Sequence, residues 1–304
     1  MIVALPELLA EAHRRRTAVL AFSCYNAESA AGVLRAAAGR PIVILVSARL
    51  ATGLAGELIV GALRGLAERA SSAVCLQLDH AYDLDAIRIG CDAGVNAVMA
   101  DGSHLPPQAN ARFVREARAV TAPLGIAVEA QLGRLRGGEE STPDLHAGEL
   151  TDPEAARRFV GEAQPNFLGV AIGNVHGIAW GTPQLDIGRL RAIAATVDLP
   201  LVLHGGSALP SVAIKAAIGA GITKVNINTD IRQAYLARTD AEVPAAQEEA
   251  GLLRLHRAQI EAVEAVAAEK LSVLQASFCS AGTKLTTPPR PIRVAVGEQR
   301  GGTG

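Results

Sequence analysis

The sequence predicts an α/β fold, a (β/α)8 TIM barrel with extra C-terminal helices, and three observations predict it. Short apolar runs rich in Val, Ile and Leu are continuous rather than alternating, as in strands buried on both faces of a parallel sheet. They recur about every 25–30 residues with a helix-like segment between them, the spacing of repeated βα units. Polar residues collect at the C-terminal ends of these runs, the rim on which such barrels carry their functional groups.

Eight strands are expected, near residues 18–24, 41–47, 73–79, 96–101, 126–131, 167–173, 199–204 and 223–228. The helices between them have start signals: Asp83 before LDAIRIG, Thr151-Asp152-Pro153 before EAARRFV, and Pro210-Ser211 before VAIKAAIG. Two segments break the rhythm. Residues 132–150 (LGRLRGGEESTPDLHAGEL) read as a long polar loop with the character of an active-site lid. The chain after Leu236 reads as helical up to LQASFCSAG. No internal linker divides the sequence, so residues 1–285 are expected to form one barrel domain and 286–304 a flexible tail. The competing architecture is a doubly wound open sheet. Its first βα turn would carry a glycine-rich dinucleotide loop, and AFSCYNAES has no glycine.

Composition narrows the function classes. The chain has 304 residues, 49% of them hydrophobic and only 3% aromatic, which suits helix–sheet packing better than a sandwich built on aromatic anchors. A net charge of -1 without a sustained basic run argues against nucleic acid and membrane as partners. Cys24, Cys75, Cys91 and Cys279 lie far apart with no CxxC pair, which favours a reducing, cytoplasmic setting. The N-terminus is apolar first and basic second (His13 to Arg16), the reverse of a secretory signal. Apolar stretches such as PIVILVS are too short to span a bilayer.

Three histidines carry the chemistry. His80, His176 and His204 end the runs AVCLQLDH, FLGVAIGNVH and LPLVLHGG. One histidine at a strand end is more often a hydrogen-bonded structural residue. Three on coherent strand ends, beside Asp79, Asp101, Gln131 and Asn174, describe a metal site on one rim. His13, His104 (in DGSH), His146 and His256 fall in helices or loops and read as ordinary residues. A second signal is LHGGSALP with KVNIN and TD after it. Gly205, Gly206 and Ser207 follow the seventh strand, and Asn226, Asn228 and Thr229 end the eighth, where barrels commonly bind phosphate through backbone N–H groups and a helix N-terminus. Alone, GGS is also an ordinary turn. The four lysines (Lys215, Lys224, Lys270, Lys284) offer no Schiff-base amine at the rim, Lys224 being expected at the opposite end of the barrel.

Taken in order, QLDH, GCDAGVNAVMADGSH, VEAQLG, GNVHG, LHGGS and NINTD resemble the class II, zinc-dependent fructose-bisphosphate/tagatose-bisphosphate aldolases over residues 5–284. The resemblance implies reversible aldol cleavage of a ketose phosphate, releasing dihydroxyacetone phosphate through a metal-stabilised enediolate. It implies one catalytic zinc ion on His80, His176 and His204, with room for a monovalent cation, and a cytoplasmic homodimer or homotetramer. Asp79 would move the C4 hydroxyl proton, and Glu140 the proton at the carbon that becomes nucleophilic. Ser47, Gly177, Gly205, Gly206, Ser207, Asn226, Asn228 and Thr229 would hold substrate and phosphate.

The sequence also departs from the family pattern. Gln131 stands where the family has Glu; with Asp101 it marks the family's second metal position, for which a neutral amide is a poor ligand. Ser23 replaces an Asn, Asn228 replaces Asp or Ala, and one extra loop residue leaves Glu139 and Glu140 as alternatives. Leu274 and Gln275 stand where an Arg meets the distal phosphate. These changes touch substrate recognition or the auxiliary metal and leave the triad and Asp79 intact, so retained donor chemistry in a specialised, non-glycolytic aldolase with a different acceptor aldehyde is expected. Two alternatives stay open: another metal-dependent barrel enzyme, against which the lack of an HxH pair on the first strand speaks, and a catalytically silent barrel that binds a sugar phosphate.

Overall fold

A computed structural model of the chain describes residues 1–137, 148–177, 183–248 and 250–275. Its elements run α1 (Leu5–Arg14), β1 (Val19–Ser23), α2 (Ala27–Ala37), β2 (Ile42–Ser47), α3 (Ala48–Ala51), α4 (Gly56–Arg69), β3 (Val74–Ala81), α5 (Leu84–Ala93), β4 (Ala97–Ala100) and α6 (Pro107–Thr121). They continue with β5 (Ala127–Leu132), α7 (Pro153–Ala163), β6 (Phe167–Val170), α8 (Ile187–Thr196), β7 (Leu201–Leu203), α9 (Ser211–Gly219), β8 (Ile222–Ile227), α10 (Thr229–Ala246) and α11 (Gly251–Gln275). Each strand pairs in parallel with the next. β1 also pairs with β8, from Val19↔Lys224 to Phe22↔Ile227, which closes the (β/α)8 barrel.

All eight expected strands are present, some of them shortened; β7, expected at 199–204, spans Leu201–Leu203. β6 ends at Val170 instead of reaching 173, because the backbone of Ile172 is bonded elsewhere: its N–H to Asn174 Oδ1 and its carbonyl to the Asp186 N–H. The helix starts behave as expected. Asp83 and Asp152 accept from the N–H groups of Ala86 and Ala155, and Pro153 takes the first turn of α7, where its missing donor costs nothing. The helical stretch after Leu236 is two helices, since Ala250 turns left-handed (φ 59°) and Gly251 bonds back to Glu248. The proposed tail, 286–304, and the domain boundary at 285 lie outside the described residues.

Inside the barrel, side chains alternate with the period of two that the strands impose. At the N-terminal end the inward residues are apolar, among them Val19, Val43, Cys75, Phe167 and Val202, and α1 packs Leu5, Leu8, Leu9 and Ala12 against them. This helix was not expected from the sequence, although its 5, 8, 9, 12 spacing is the signature of one apolar face. Outward residues such as Phe22, Ile44, Leu76 and Val98 pack against the surrounding helices. Among the described residues no helix is long and apolar enough to cross a membrane.

Helices α2 and α11 approach each other closely enough to require glycine. A Cβ on Gly32 would lie 2.7 Å from the Ile260 carbonyl oxygen and 2.8 Å from Val263 side-chain carbons. Gly32→Ala is therefore expected to destabilise the fold by about 1–3 kcal/mol in chemical denaturation, despite the better helix propensity of alanine. Gly61→Ala and Gly65→Ala in α4, where nothing lies within 4 Å of the added carbon, are expected to stabilise it by about 0.5–1 kcal/mol each.

Candidate active site

Asp79 and His80 are adjacent on β3, so regular alternation would send one inward and the other out among the helices. The chain breaks that rule locally. The β3–β4 register shifts between Leu78 and Ala81, and His80 takes a left-handed φ of 48°. A bulge of this kind re-aims a side chain, and here both Asp79 and His80 reach the wall of one cavity. A non-glycine residue in that conformation costs about 1–3 kcal/mol, which the surrounding contacts must offset.

His204 follows β7 directly. His176 does not end a strand as expected; it sits on the loop after β6, held from two sides. Its N–H donates to the Arg136 carbonyl (2.8 Å), and Asn174 clamps the loop by accepting from Ile172 N–H and donating to the His204 carbonyl (3.0 Å). The rings of His176 and His204 stand edge-on to that of His80, with centroids 5.1 Å away in each case. The three offer ligand nitrogens within 4.8 Å of one another, a spacing at which one metal ion can be held.

Two buried carboxylates hold these rings. Asp101 Oδ2 lies 2.6 Å from His80 Nδ1, and its Oδ1 accepts from the Ser103 N–H. Glu129 Oε1 lies 2.8 Å from His204 Nε2, and its Oε2 accepts from Lys224 Nζ (2.8 Å) and Gln77 Nε2 (3.0 Å). Burial pushes both carboxyls up, but the hydrogen bond and charge of His80 for Asp101, and the Lys224 charge with the His204 bond for Glu129, outweigh it; both stay well below the usual carboxylate range. Burial, then the neighbouring rings of His80 and His204, lower His176 well below 6.5, so it is neutral, the form that binds metal.

With Nε2 on Glu129, His204 presents Nδ1, which is buried and takes no hydrogen bond among the described residues. A donor of that kind, beside two more imidazoles at ligand spacing, fits a metal ion. Nitrogen ligands with a fourth position open to the cavity suit a catalytic ion that must also bind substrate or water.

The cavity has a volume of about 700 Å³, and its wall includes Ser47, Asp79, His80, Asp101, Gln131 and His176 from the expected set. Gly205, Gly206, Ser207, Asn226, Asn228 and Thr229 gather one step round the rim and do not line it. Ser207 Oγ accepts from the Asn228 and Asp230 N–H groups, tying the loop after β7 to the start of α10. Gly205 (φ 68°) leaves no room for a side chain, since a Cβ would meet the Val175 carbonyl oxygen at 1.9 Å. Gly177 is left-handed (φ 74°) and is the last described residue before 183. Gln131 donates to the carbonyls of Leu132 and Gly133, and its Oε1 faces Gly169, where a Cβ would approach to 2.3 Å. Glu139 and Glu140 lie outside the described residues, as does the tip of the expected lid; its base is closed by the Arg134–Glu149 bridge.

Several residues escaped the sequence reading. Glu129 and Lys224 are fully buried beside the triad, which corrects the expectation that Lys224 is remote from it. The signal was available: Lys224 and Asn226 alternate on β8, with Asn228 next in the pattern just past its end, as Glu129 and Gln131 do on β5. Tyr25 bonds Asn228 Oδ1 through its hydroxyl (2.5 Å), and Tyr82 stacks on His80 and meets His104 edge-on. His104 also lines the cavity and is not an ordinary loop residue.

Removing the clamp in Asn174→Ala strands the buried Ile172 N–H and is expected to cost about 1–3 kcal/mol in denaturant titration. The depressed His176 ring also predicts a pH effect in metal-free protein. Below 6.5 the unfolded chain takes up a proton that the fold refuses, so stability falls as pH drops through that value. Asp101 and Glu129 act lower, their stabilisation being lost only below their ordinary values of 3.8 and 4.5. Urea titrations of wild type and His176→Gln should differ in slope between about pH 5 and 6.5, the variant being flatter.

The chain resembles solved structures of aldolases. It superposes on the YdjI aldolase from Escherichia coli K12 with a TM-score of 0.80 at 31% identity, covering 91% of this chain and 99% of that one. A candidate fructose-1,6-bisphosphate aldolase from Coccidioides immitis matches with a TM-score of 0.81 at 31% identity, over 90% and 96% of the two chains. The fructose-bisphosphate aldolase of Campylobacter jejuni shares the fold, with a TM-score of 0.73 at 20% identity over 90% and 95%. Residues 3–278 match the family model described as fructose-bisphosphate aldolase class-II. This barrel, with its rim of three carboxylate-held or backbone-held imidazoles, belongs to the class II fructose-bisphosphate aldolase family and is an aldolase.

Proposed function

We propose that the protein is a zinc-dependent aldolase that cleaves a ketose phosphate reversibly to dihydroxyacetone phosphate and an aldehyde. The observation that carries this reading is the convergence of His80, His176 and His204 at ligand spacing, with His80, His176 and Asp79 on the wall of one cavity. These imidazoles would hold the ion, which when bound supplies a Lewis acid for the negative charge that develops on the ketone side of the breaking carbon–carbon bond. Asp79, 2% exposed and facing the cavity, takes the C4 hydroxyl proton in cleavage and returns it in condensation.

The phosphate of the retained fragment sits against Gly177, Gly205, Gly206, Ser207, Asn226, Asn228 and Thr229, where backbone donors meet the N-terminus of the 18-residue helix α10. Ser47 serves the other side of the cavity. Glu140 as the second proton carrier rests on the sequence resemblance alone. Asp101 is committed to His80 and position 131 is an amide, which supports a single ion rather than a pair. The same resemblance supports a cytoplasmic homodimer or homotetramer with room for a monovalent cation.

The acceptor side supports a specialised substrate. Leu274, at the position of the expected phosphate-binding Arg, packs against the hydrophobic core. Arg49, Tyr82, His104 and Arg134 line the cavity instead.

Purified protein is expected to contain about one zinc per chain and to release dihydroxyacetone phosphate from a panel of ketose phosphates, with loss of turnover on chelation and recovery on adding zinc. Fructose 1,6-bisphosphate should be a poor substrate in that panel; turnover on it at rates matching the best member would refute the specialised reading. Asp79→Asn is expected to lower kcat by about 10²–10⁴-fold at unchanged zinc content. Chelator-insensitive cleavage would overturn the metal mechanism, and zinc binding without any turnover would favour the silent barrel.

A further inference from the structure

Between the apolar plug at one end of the barrel and the histidines at the other lies a polar layer that the proposed reaction does not use. Gln77, Glu129 and Lys224 are all 0% exposed, and each sits two residues before a rim residue of its own strand: Asp79, Gln131 and Asn226. An ion pair in a barrel core is an expensive choice, because apolar residues of similar volume commonly stabilise such a position as well or better.

We propose that Lys224 is a positioning residue which, through Glu129, fixes the tautomer of His204 and so decides that Nδ1 is the nitrogen offered to the metal. The inference rests on reading the three histidines as metal ligands. The geometry carries it in three steps. Lys224 Nζ and Gln77 Nε2 both bind Glu129 Oε2, at 2.8 and 3.0 Å, which fixes the carboxylate plane and leaves Oε1 for His204. A carboxylate paired with an ammonium has no proton to give, so the hydrogen in the 2.8 Å contact belongs to His204 Nε2. A neutral imidazole carries one N–H, and the lone pair therefore falls on Nδ1, the buried atom without a hydrogen-bond partner among the described residues.

His80 is arranged the opposite way. Its Nδ1 faces Asp101, so Nε2 is the nitrogen that would ligate the ion. The two rings thus enter the site through different atoms, each set by its own carboxylate. The difference between the carboxylates is that Glu129 carries its counter-charge with it: Lys224 cancels its charge, so His204 gains an oriented acceptor with no net charge added beneath the site.

Two measurements test this. In metal-free wild-type protein at mildly alkaline pH, nitrogen-15 NMR of the histidine rings, assigned with His204→Gln and His80→Gln, should show His204 protonated on Nε2 and His80 on Nδ1. His204 protonated on Nδ1 would overturn the proposal, whatever the enzyme's activity. The second is zinc affinity by competition with a chromophoric chelator. Lys224→Met should weaken binding about 10–100-fold, with the His204 tautomer no longer held on Nε2. If that variant does not fold, Lys224→Met combined with Glu129→Gln leaves no buried charge unpaired and carries the test. It is expected to fold and to bind zinc at least 10-fold more weakly than wild type. Wild-type affinity in folded variants, with the tautomer unchanged, would show the lysine to be core filling only. Failure of the wild type to bind zinc would instead strike the metal reading and leave the tautomer result standing.

Discussion

Pairing of β1 with β8 closes the sheet, and the interior arrangement depends on that closure. In a closed parallel barrel every second side chain of eight strands points at a common axis, with no edge through which water can reach it. The strands therefore stack their inward residues in layers. Here the layers grade from apolar, plugged by α1, through the Gln77, Glu129 and Lys224 layer, to the imidazoles and carboxylates of the open rim. Charge is tolerated inside only where it is paired: Asp101 meets the imidazole of His80, and Glu129 meets both His204 and the Lys224 ammonium.

The rim itself is not a simple continuation of the strands. Alternation supplies Asp79, Asp101, Gln131 and His204, but it cannot supply Asp79 and His80 together. The register shift in β3 and the left-handed His80 solve that conflict at a local energetic cost. His176 shows a different solution: the strand stops early, and Asn174 and the Arg136 carbonyl hold the loop where the strand would not have taken it. Three ligands thus arrive by three routes: a bulge, a loop clamp and a regular strand end. Among the described non-glycine residues, His80 is the left-handed one that lies within a strand; Arg16, Ala38, Gln164 and Ala250 fall at helix ends, where such a turn is ordinary.

Electrostatics then selects the chemistry those ligands can do. Carboxylates behind His80 and His204 fix which nitrogen each ring presents, and burial keeps His176 neutral. The three rings are already held at ligand spacing, so a cation bound there would not have to reorganise them. Asp79 beside them faces the cavity, which is where a proton carrier has to be.

Local sequence determined a great deal of this protein. Continuous apolar runs at βα spacing identified all eight strands, Asp83 and Asp152 marked their helices, and the ordered motifs around His80, His176 and His204 pointed to the rim where the three imidazoles come within ligand spacing. Those features are legible because they depend on period, capping and residue type within a few positions. The tertiary structure decided what depends on distant partners: the bulge that turns His80, the early end of β6, the break between α10 and α11, and the plug made by α1. It also decided the role of Lys224, which in sequence is a lone cation near the start of a strand. Only closure of the barrel sets it 2.8 Å from Glu129, a residue 95 positions away, and through it beneath His204.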